Sequence, residues 1–246
     1  MEYAEWPALP SLADQLVCTW LDLPRAVRQP VLPDACIDLV WDGTSVSVAG
    51  PDTRPYAVAG DRAFVGVRFR PGAAPRVLGV AASELLDCQL PLSDLWGRTA
   101  NELNDRLHGR DAYSVMLELQ GAILQRQATV RAVDPLVDGV IFELSRAEVS
   151  PTSVWRLAGS LAVSERTLRR RCTDALGYGP KTLDRILRFR RALRLLQGGR
   201  PLTDVAQVAG YADQSHLTNE CRRLADATPA ALAANKSLSI SGNGCN

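Results

Sequence analysis

Residues 154–171 (VWRLAGSLAVSERTLRRR) have a hydrophobic pattern that predicts two short helices joined by a tight turn at residues 162–163. Leu157 and Leu161 fall on one apolar stripe of the first helix. Ser164 is predicted to cap the second helix, because its hydroxyl oxygen can accept a hydrogen bond from an unpaired backbone N–H group. We therefore expect a helix-turn-helix unit here.

The second predicted helix combines one inward position, Leu168, with a row of arginines on its outer face. Long cationic side chains fit the major groove of DNA, because guanine offers two acceptors there and phosphates flank the groove. The alternative is a solvated basic face, which is the usual role of a run of charge. The arginines expected to face outward are Arg166, Arg169, Arg170 and Arg171.

A second copy of this pattern follows, with a short helix over 202–209, a turn, a cap at Asp213 and an exposed helix over 214–224. Leu168 and Leu217 are equivalent positions, 49 residues apart, and the second turn is one residue longer than the first. A solvated basic face has no reason to occur twice in matching positions, so the duplication favours DNA binding.

Residues 180–197, between the two copies, predict one long helix that holds both exposed helices at a fixed separation. Two such helices on one face of DNA enter the major groove about one helical turn apart, roughly 34 Å. One chain would then contact two adjacent groove segments. The arginines of the long helix that are expected to face outward are Arg185, Arg188, Arg191 and Arg194.

The N-terminal part of the chain has a β-rich pattern, in which short apolar runs alternate with Gly, Pro and Asp breaks. Asp42-Gly43 is a strong hairpin-turn signal. Many short strands with frequent turns are typical of a sandwich or a small barrel. A short helix over 11–21 is also expected. The predicted strands are 35–41, 46–49, 56–59, 63–69 and 76–80.

From residue 99 the apolar spacing becomes helical, which predicts a helical pair at 99–127 with Asp111 as the cap of its second helix. Its apolar stripe is more typical of a core than of a partner surface, although the pair is also a candidate dimer face. We expect an N-terminal β-rich sensor or dimerisation domain at 1–128, a linker at 129–133, a DNA-binding domain at 134–236 and a disordered tail at 237–246.

The formal net charge of +1 hides an asymmetry between the two parts of the chain. The first 150 residues carry 13 basic and 20 acidic side chains, whereas the remaining residues carry 15 and 7. A basic C-terminal part indicates a polyanion partner for that part alone.

The usual signals of catalysis are missing from the sequence. Two histidines cannot build a His-rich metal site, the six cysteines include no C-x-x-C pair, and no Gly-rich phosphate loop follows a strand. We expect no enzyme, no catalytic residue, no metal and no cofactor. The acidic start and the short apolar runs predict no signal peptide and no membrane partner, hence a cytoplasmic, nucleoid-associated protein.

The motif AGYADQSHL at 209–217, followed by Thr228-Pro229, resembles the signature of the AraC/XylS family of bacterial transcription regulators. Residues 164–171 and 176–180 are similar to a subgroup of that family, and the resemblance covers roughly 154–232. Upstream, 33–43, 49–53 and 68–80 resemble the N-terminal domain that accompanies this subgroup.

The resemblance implies an α+β multidomain fold: a β-rich, distantly cupin-like N-terminal domain with a helical pair, then an all-α C-terminal domain of two helix-turn-helix units. It implies a sequence-specific DNA-binding regulator, an activator by its family, whose activity is modulated through the N-terminal domain. The implied partners are double-stranded promoter DNA, RNA polymerase, a small-molecule effector and a second copy of the chain.

By position, the resemblance also assigns DNA-contacting residues. Ser164 and Asp213 are carried over as helix caps. Thr218, Arg222 and Arg223 are carried over as contacts to the DNA backbone. The implied base contacts are Arg166, Arg169 and Arg170 in the first unit, and Gln214, Ser215 and Asn219 in the second.

The sequence departs from the family pattern at four positions: Asn219 replaces the usual Arg, Asp226 a common Gly, and Cys172 and Cys221 an aromatic residue. Weaker binding, or a different base preference, is expected of the second unit. Two alternatives stay open: a DNA-binding protein that needs no effector and docks a partner, and a thiol-based redox regulator. A closed apolar pocket within residues 31–95 favours an effector, and a filled core favours docking.

Overall fold

The computed structural model describes residues 3–24, 30–58, 61–126, 134–146 and 153–235. Within these ranges a β-rich N-terminal region is followed by an all-helical C-terminal region. The predicted linker at 129–133 and the predicted tail at 237–246 lie outside the described residues. The described helices include none that is both long and apolar enough to cross a bilayer.

The N-terminal region contains one six-stranded antiparallel sheet with the strand order β1-β2-β5-β3-β4-β6. The hairpin β3–β4 turns at Asp42-Gly43 as predicted, and Asp42 accepts hydrogen bonds from the backbone N–H groups of Thr44 and Ser45. The strands are β1 (Tyr3–Trp6), β2 (Leu16–Asp22), β3 (Asp38–Trp41), β4 (Val46–Ala49), β5 (Phe64–Phe69) and β6 (Gln89–Pro91).

Among the described residues of this region, four α-helices share one core with the sheet. Leu39, Val67 and Phe69 of the sheet and Leu107 and Leu119 of the helices are completely buried in that core. The core between the sheet and these helices is therefore built from apolar side chains. The helices are α1 (Ala74–Leu78), α2 (Ser93–Trp96), α3 (Arg98–Leu107) and α4 (Ala112–Arg126).

Three local expectations for this region are wrong. Residues 11–21 form a 3₁₀ turn and then β2 instead of a helix; Cys18, Thr19 and Trp20 are all buried, so the strand lacks the usual alternation. Residues 76–80 fall largely in α1, and Pro75 lies in the first turn of that helix, where proline is favoured. The six strands form a single sheet instead of a sandwich or a small barrel.

The C-terminal region confirms two helix-turn-helix units joined by one long helix, and with the sheet it confirms the predicted fold class. The first unit is α6–α7, the second is α9–α10, and α8 connects them. The helices are α5 (Pro135–Arg146), α6 (Val154–Ser160), α7 (Glu165–Leu176), α8 (Pro180–Gln197), α9 (Leu202–Val208), α10 (Gln214–Ala225) and α11 (Pro229–Ala234).

Each unit has its own apolar core, and α8 contributes to both. Leu168 lies in the core of the first unit with Ile186 of α8, whereas Leu217 lies in the core of the second with Phe189 and Leu193 of α8. All but Leu193, which is 3% exposed, are completely buried. Because α8 packs into both cores along its length, the separation of the two units is set by a continuous helix.

The two turns share their backbone conformation. Ala162 has a φ of 53° and the equivalent Gly210 has a φ of 81°, both in the left-handed region. Val163 donates its N–H to the carbonyl of Ala158, and Tyr211 makes the equivalent bond to Ala206. After this bond the second turn has one more residue before its cap, as the sequence predicts.

The N-terminal region packs against both helix-turn-helix units. Ala35 lies in the core of the first unit, and Leu32 packs against the core of the second. A Cβ atom on Gly177, at the end of α7, would lie 2.8 Å from Pro51 Cγ, so the backbones approach closely there. The N-terminal region therefore contacts both halves of the C-terminal region.

Candidate nucleic-acid interface

The second helices of the two units, α7 and α10, begin with the same kind of capping hydrogen bond. Ser164 Oγ accepts from the N–H of Thr167 at 3.1 Å, and Asp213 Oδ1 accepts from the N–H of His216 at 2.7 Å. Each cap pairs an N–H group that the helix leaves unpaired at its start. The caps fix where α7 and α10 start relative to their buried leucines.

The outer face of α7 is strongly basic. Arg166, Arg169 and Arg170 are exposed, whereas Leu168 and Cys172 are completely buried. Arg169 pairs with Glu165 of the same helix at 3.2 Å, and both side chains are exposed. An exposed pair of this kind is weak, so it leaves Arg169 available for another partner.

Arg171, which the sequence places on the outer face, is turned toward α5. Its Nε donates to the carboxylate of Asp134, whose other oxygen accepts the N–H of Leu136 in the first turn of α5. The hydrogen bond from Arg171 holds the pKa of Asp134 below its usual value, although partial burial acts in the opposite direction. Arg171 lies three residues after Leu168, on the flank of the buried stripe, and this position explains the error.

The outer face of α10 is less basic. Gln214, Ser215 and Asn219 are exposed near its start and middle, and the cations Arg222 and Arg223 are exposed near its end. Thr218 is half-buried and its hydroxyl donates to the carbonyl of Gln214 at 2.8 Å, so the helix itself occupies that donor.

Asp226 ends α10 at a φ of 50°, in the left-handed conformation, where the equivalent Gly177 of α7 has a φ of 85°. A residue with a Cβ atom is strained in this conformation, which explains why Gly is common at this position. Thr228 then caps α11 by accepting the N–H of Ala231 at 3.2 Å.

The arginines of α8 are not a solvent-facing row, which corrects the expectation for three of the four. Arg185 makes a bidentate ion pair with Glu220 of α10, at 2.9 and 3.0 Å. Arg188 is buried, pairs with Asp184 and donates to the carbonyl of Gly210 in the second turn. Arg191 Nη2 donates to the carbonyl of Ser145, and only Arg194 is exposed.

Arg190 connects α8 to the N-terminal region. Its Nη1 donates to the backbone carbonyl of Asp34 at 3.0 Å, and the side chain is buried. The partners of these arginines lie up to 156 residues away in the sequence, so helical spacing alone gives no signal for them. A cation inside an otherwise apolar helical stripe, as at Arg190, is the one sign that such a side chain points inward to a hydrogen-bond acceptor.

The two matching cysteines are inside the cores of their units. Cys172 and Cys221 are completely buried, and burial raises the pKa of both thiols to about 12. Since the thiolate is the reactive form, burial and a raised pKa both disfavour reaction of these thiols near neutral pH.

Residues 157–235 match the sequence profile of a helix-turn-helix domain family. The C-terminal region is a helix-turn-helix domain of the AraC type. Residues 4–91 match a second profile, which describes a domain of unknown function.

Several solved structures are similar to this chain. An AraC-type regulator from Chromobacterium violaceum has 24% identity and a TM-score of 0.40, over 44% of this chain and 96% of that one. The C-terminal domain of AraT from Geobacillus stearothermophilus has 20% identity and a TM-score of 0.40, over 45% and 93%. An apo ToxT variant from Vibrio cholerae has 10% identity and a TM-score of 0.49, over 88% and 97%. No curated protein sequence matches the chain.

Proposed function

We propose that the chain regulates transcription by placing α7 and α10 in adjacent major-groove segments of promoter DNA. The observation that supports this most is the duplication of one unit. Both recognition helices are capped at their start, held by a completely buried leucine and packed on the same long helix. Two rigidly connected helices suit two groove segments on one face of the duplex.

The residues proposed to contact DNA fall into two groups. Base contacts come from Arg166, Arg169 and Arg170 of α7, because Arg suits guanine, and from Gln214, Ser215 and Asn219 of α10, because Gln and Asn suit adenine. The proposed contacts to the phosphate backbone are Thr218, Arg222 and Arg223.

The proposed DNA-binding domain extends over 134–236, with the N-terminal domain at 1–128. Contacts of α5 support the first boundary, because Val137 and Val140 are completely buried in the core of the first unit. A Cβ atom on Gly139 would lie only 2.9 Å from Leu161 Cδ2, so α5 packs closely against the end of α6. The helix α5 thus belongs with the unit that follows it.

We propose that the N-terminal domain modulates DNA binding through its contacts with both units. Its interior is filled, which favours docking of a partner protein over an enclosed small-molecule effector. Clefts of about 400 and 300 Å³ lie between the two regions, and an effector would bind there. RNA polymerase is the partner expected of an activator.

A second copy of the chain is also a proposed partner. On α4, Tyr113 is 69% exposed, Leu117 39% and Leu124 36%, and together they form an apolar stripe on the outside of the helical pair. The thiol-based alternative is not retained, because both matching thiols are buried and protonated near neutral pH.

The proposed base contacts are tested by Arg170→Ala in a gel shift on the cognate promoter, which is first found by mapping bound sites across the genome. Loss of one bidentate base contact lowers specific affinity by about 1–3 kcal/mol. Arg98→Ala is the matched control, since Arg98 is an exposed arginine of α3. Unchanged affinity of Arg170→Ala would falsify the assignment of Arg170.

A further inference from the structure

A cleft of about 300 Å³ between the N-terminal region and the second helix-turn-helix unit has several arginines in its walls. The N-terminal region contributes Thr53 and Arg54, and α10 contributes Arg223. Arg185 of α8 lies between them, but its charge is already balanced by the bidentate pair with Glu220. Among the described side chains, two cations of the cleft therefore remain without a balancing carboxylate: Arg54 of the N-terminal region and Arg223 of α10.

Arg54 and Arg223 are both exposed, and neither forms a hydrogen bond or an ion pair within the ranges that the structure describes. The acidic neighbour of Arg54 is Asp52. Burial, with help from the carboxylates of Asp34 and Asp87, raises the pKa of Asp52 to about 7. This carboxyl is thus only partly ionised near neutral pH, and it offsets the charge of Arg54 only in part.

The segment that carries Arg54 is held in place. The N–H of Thr53 donates to Asp87 Oδ1 at 2.6 Å, and its hydroxyl donates to Asp87 Oδ2 at 2.7 Å. Pro55 follows directly and fixes the backbone on the other side of Arg54. The guanidinium is therefore presented from an anchored segment, which lowers the entropy lost when it binds a partner.

The position of the cleft relative to DNA follows from α10. Ser215, Asn219 and Arg222 lie on one face of this helix, and Glu220 on the side that meets α8. At 100° per residue, Arg223 falls between these two directions. The cleft thus opens at the edge of the proposed DNA face, where a phosphate of the backbone would pass.

We propose that this cleft binds one phosphate group of the DNA backbone between Arg54 and Arg223, so that the N-terminal region itself contacts the operator. Two arginines suit this ligand, because each guanidinium can donate two parallel hydrogen bonds to phosphate oxygens. The proposal rests on the proposed function. It assigns a DNA contact to a region whose sequence has an acidic balance and gives no sign of one.

The test measures the salt dependence of operator binding for the full chain and for Arg54→Ala. Loss of one phosphate contact lowers the slope of log affinity against log salt by about one and weakens binding equally for all operator sequences. Arg98→Ala removes an equally charged, exposed side chain from α3 and leaves the slope unchanged. A slope for Arg54→Ala equal to that of the wild type, or tighter binding by this variant, overturns the proposal.

Two further arms separate the remaining outcomes. If Arg54 and Arg223 share one phosphate, the double alanine variant lowers the slope by less than the sum of the single variants; full additivity overturns the shared site. Inorganic phosphate that raises the Tm of the wild type but not of Arg54→Ala, with equal DNA slopes, identifies a free-anion site and overturns the DNA contact. If the salt slope of Arg54→Ala is unchanged but Arg170→Ala lowers specific affinity, the proposed function stays intact and only the phosphate site is overturned. If neither variant changes DNA binding, the proposed function is overturned as well.

Discussion

In the first helix-turn-helix unit α7 exposes three arginines, whereas the equivalent positions of α10 in the second unit carry Ser215, Thr218 and Asn219. The buried positions of α7 and α10 are nearly the same, since in both helices a buried leucine is followed four residues later by a buried cysteine. Packing thus restricts the inner positions, and the outer positions are free to differ. One backbone unit can therefore present two different outer surfaces.

The largest expected effect tests whether each unit is stabilised by its buried leucine. Leu168→Ala and Leu217→Ala each create a cavity at a completely buried position and lower the free energy of unfolding by about 2–5 kcal/mol. Denaturant unfolding followed by circular dichroism measures the loss. Val208→Ala, at a side chain that is 47% exposed, is the control and changes stability by less than about 0.5 kcal/mol. A loss below about 1 kcal/mol at either leucine contradicts the packing described above.

A smaller effect tests the difference between the two turns. The left-handed backbone conformation strains Ala162, which has a Cβ atom, and does not strain Gly210. Ala162→Gly is expected to raise the free energy of unfolding, and Gly210→Ala to lower it, by about 1 kcal/mol each. Gly159→Ala, inside α6, is the control for glycine entropy and raises stability. Thermal unfolding that shows the same sign for both turn variants contradicts the proposed strain.

The smallest effect tests the ion pair between Arg171 and Asp134, at the position where the second unit pairs Glu220 with Arg185. The pKa of Asp134 is lowered in the folded chain, so its contribution is full above its ordinary pKa of about 4 and fades as the pH falls below that value. Asp134→Asn should therefore be less stable than the wild type at neutral pH and converge with it in acid. Asp61→Asn, at an exposed carboxylate, serves as control. A stability difference that does not change with pH would show that Asp134 acts without its charge.

Local patterns in the sequence were sufficient to predict the helix-turn-helix units. The caps Ser164 and Asp213, the turn signals and the spacing of Leu168 and Leu217 all act within one or two helical turns. The hairpin at Asp42-Gly43 is equally local. These elements form because each hydrogen bond and each apolar contact that defines them comes from neighbouring residues.

Contacts between distant segments could not be predicted in the same way. The spacing of Arg185, Arg188 and Arg191 fits a solvated face, and only the folded chain brings Glu220 and the carbonyl groups to them. The strand β2 was mistaken for a helix because it is buried on both faces, so its apolar run has no period of two. The arginine-lined cleft likewise depends on Thr53 and Arg54 meeting a helix some 170 residues later.

If α7 and α10 enter adjacent groove segments as proposed, the arginines of α8 have a consequence for the spacing of the operator. Each inserted base pair moves the second groove segment by about 3.4 Å along the duplex and turns it by roughly 35°. The two units cannot follow such a screw motion, because α8 is bonded to both. Arg185 and Arg188 bond α8 to α10 and to the turn before it, and Arg191 bonds α8 to α5. An operator for such a protein should tolerate base substitutions one at a time but no change in the number of base pairs between its two segments.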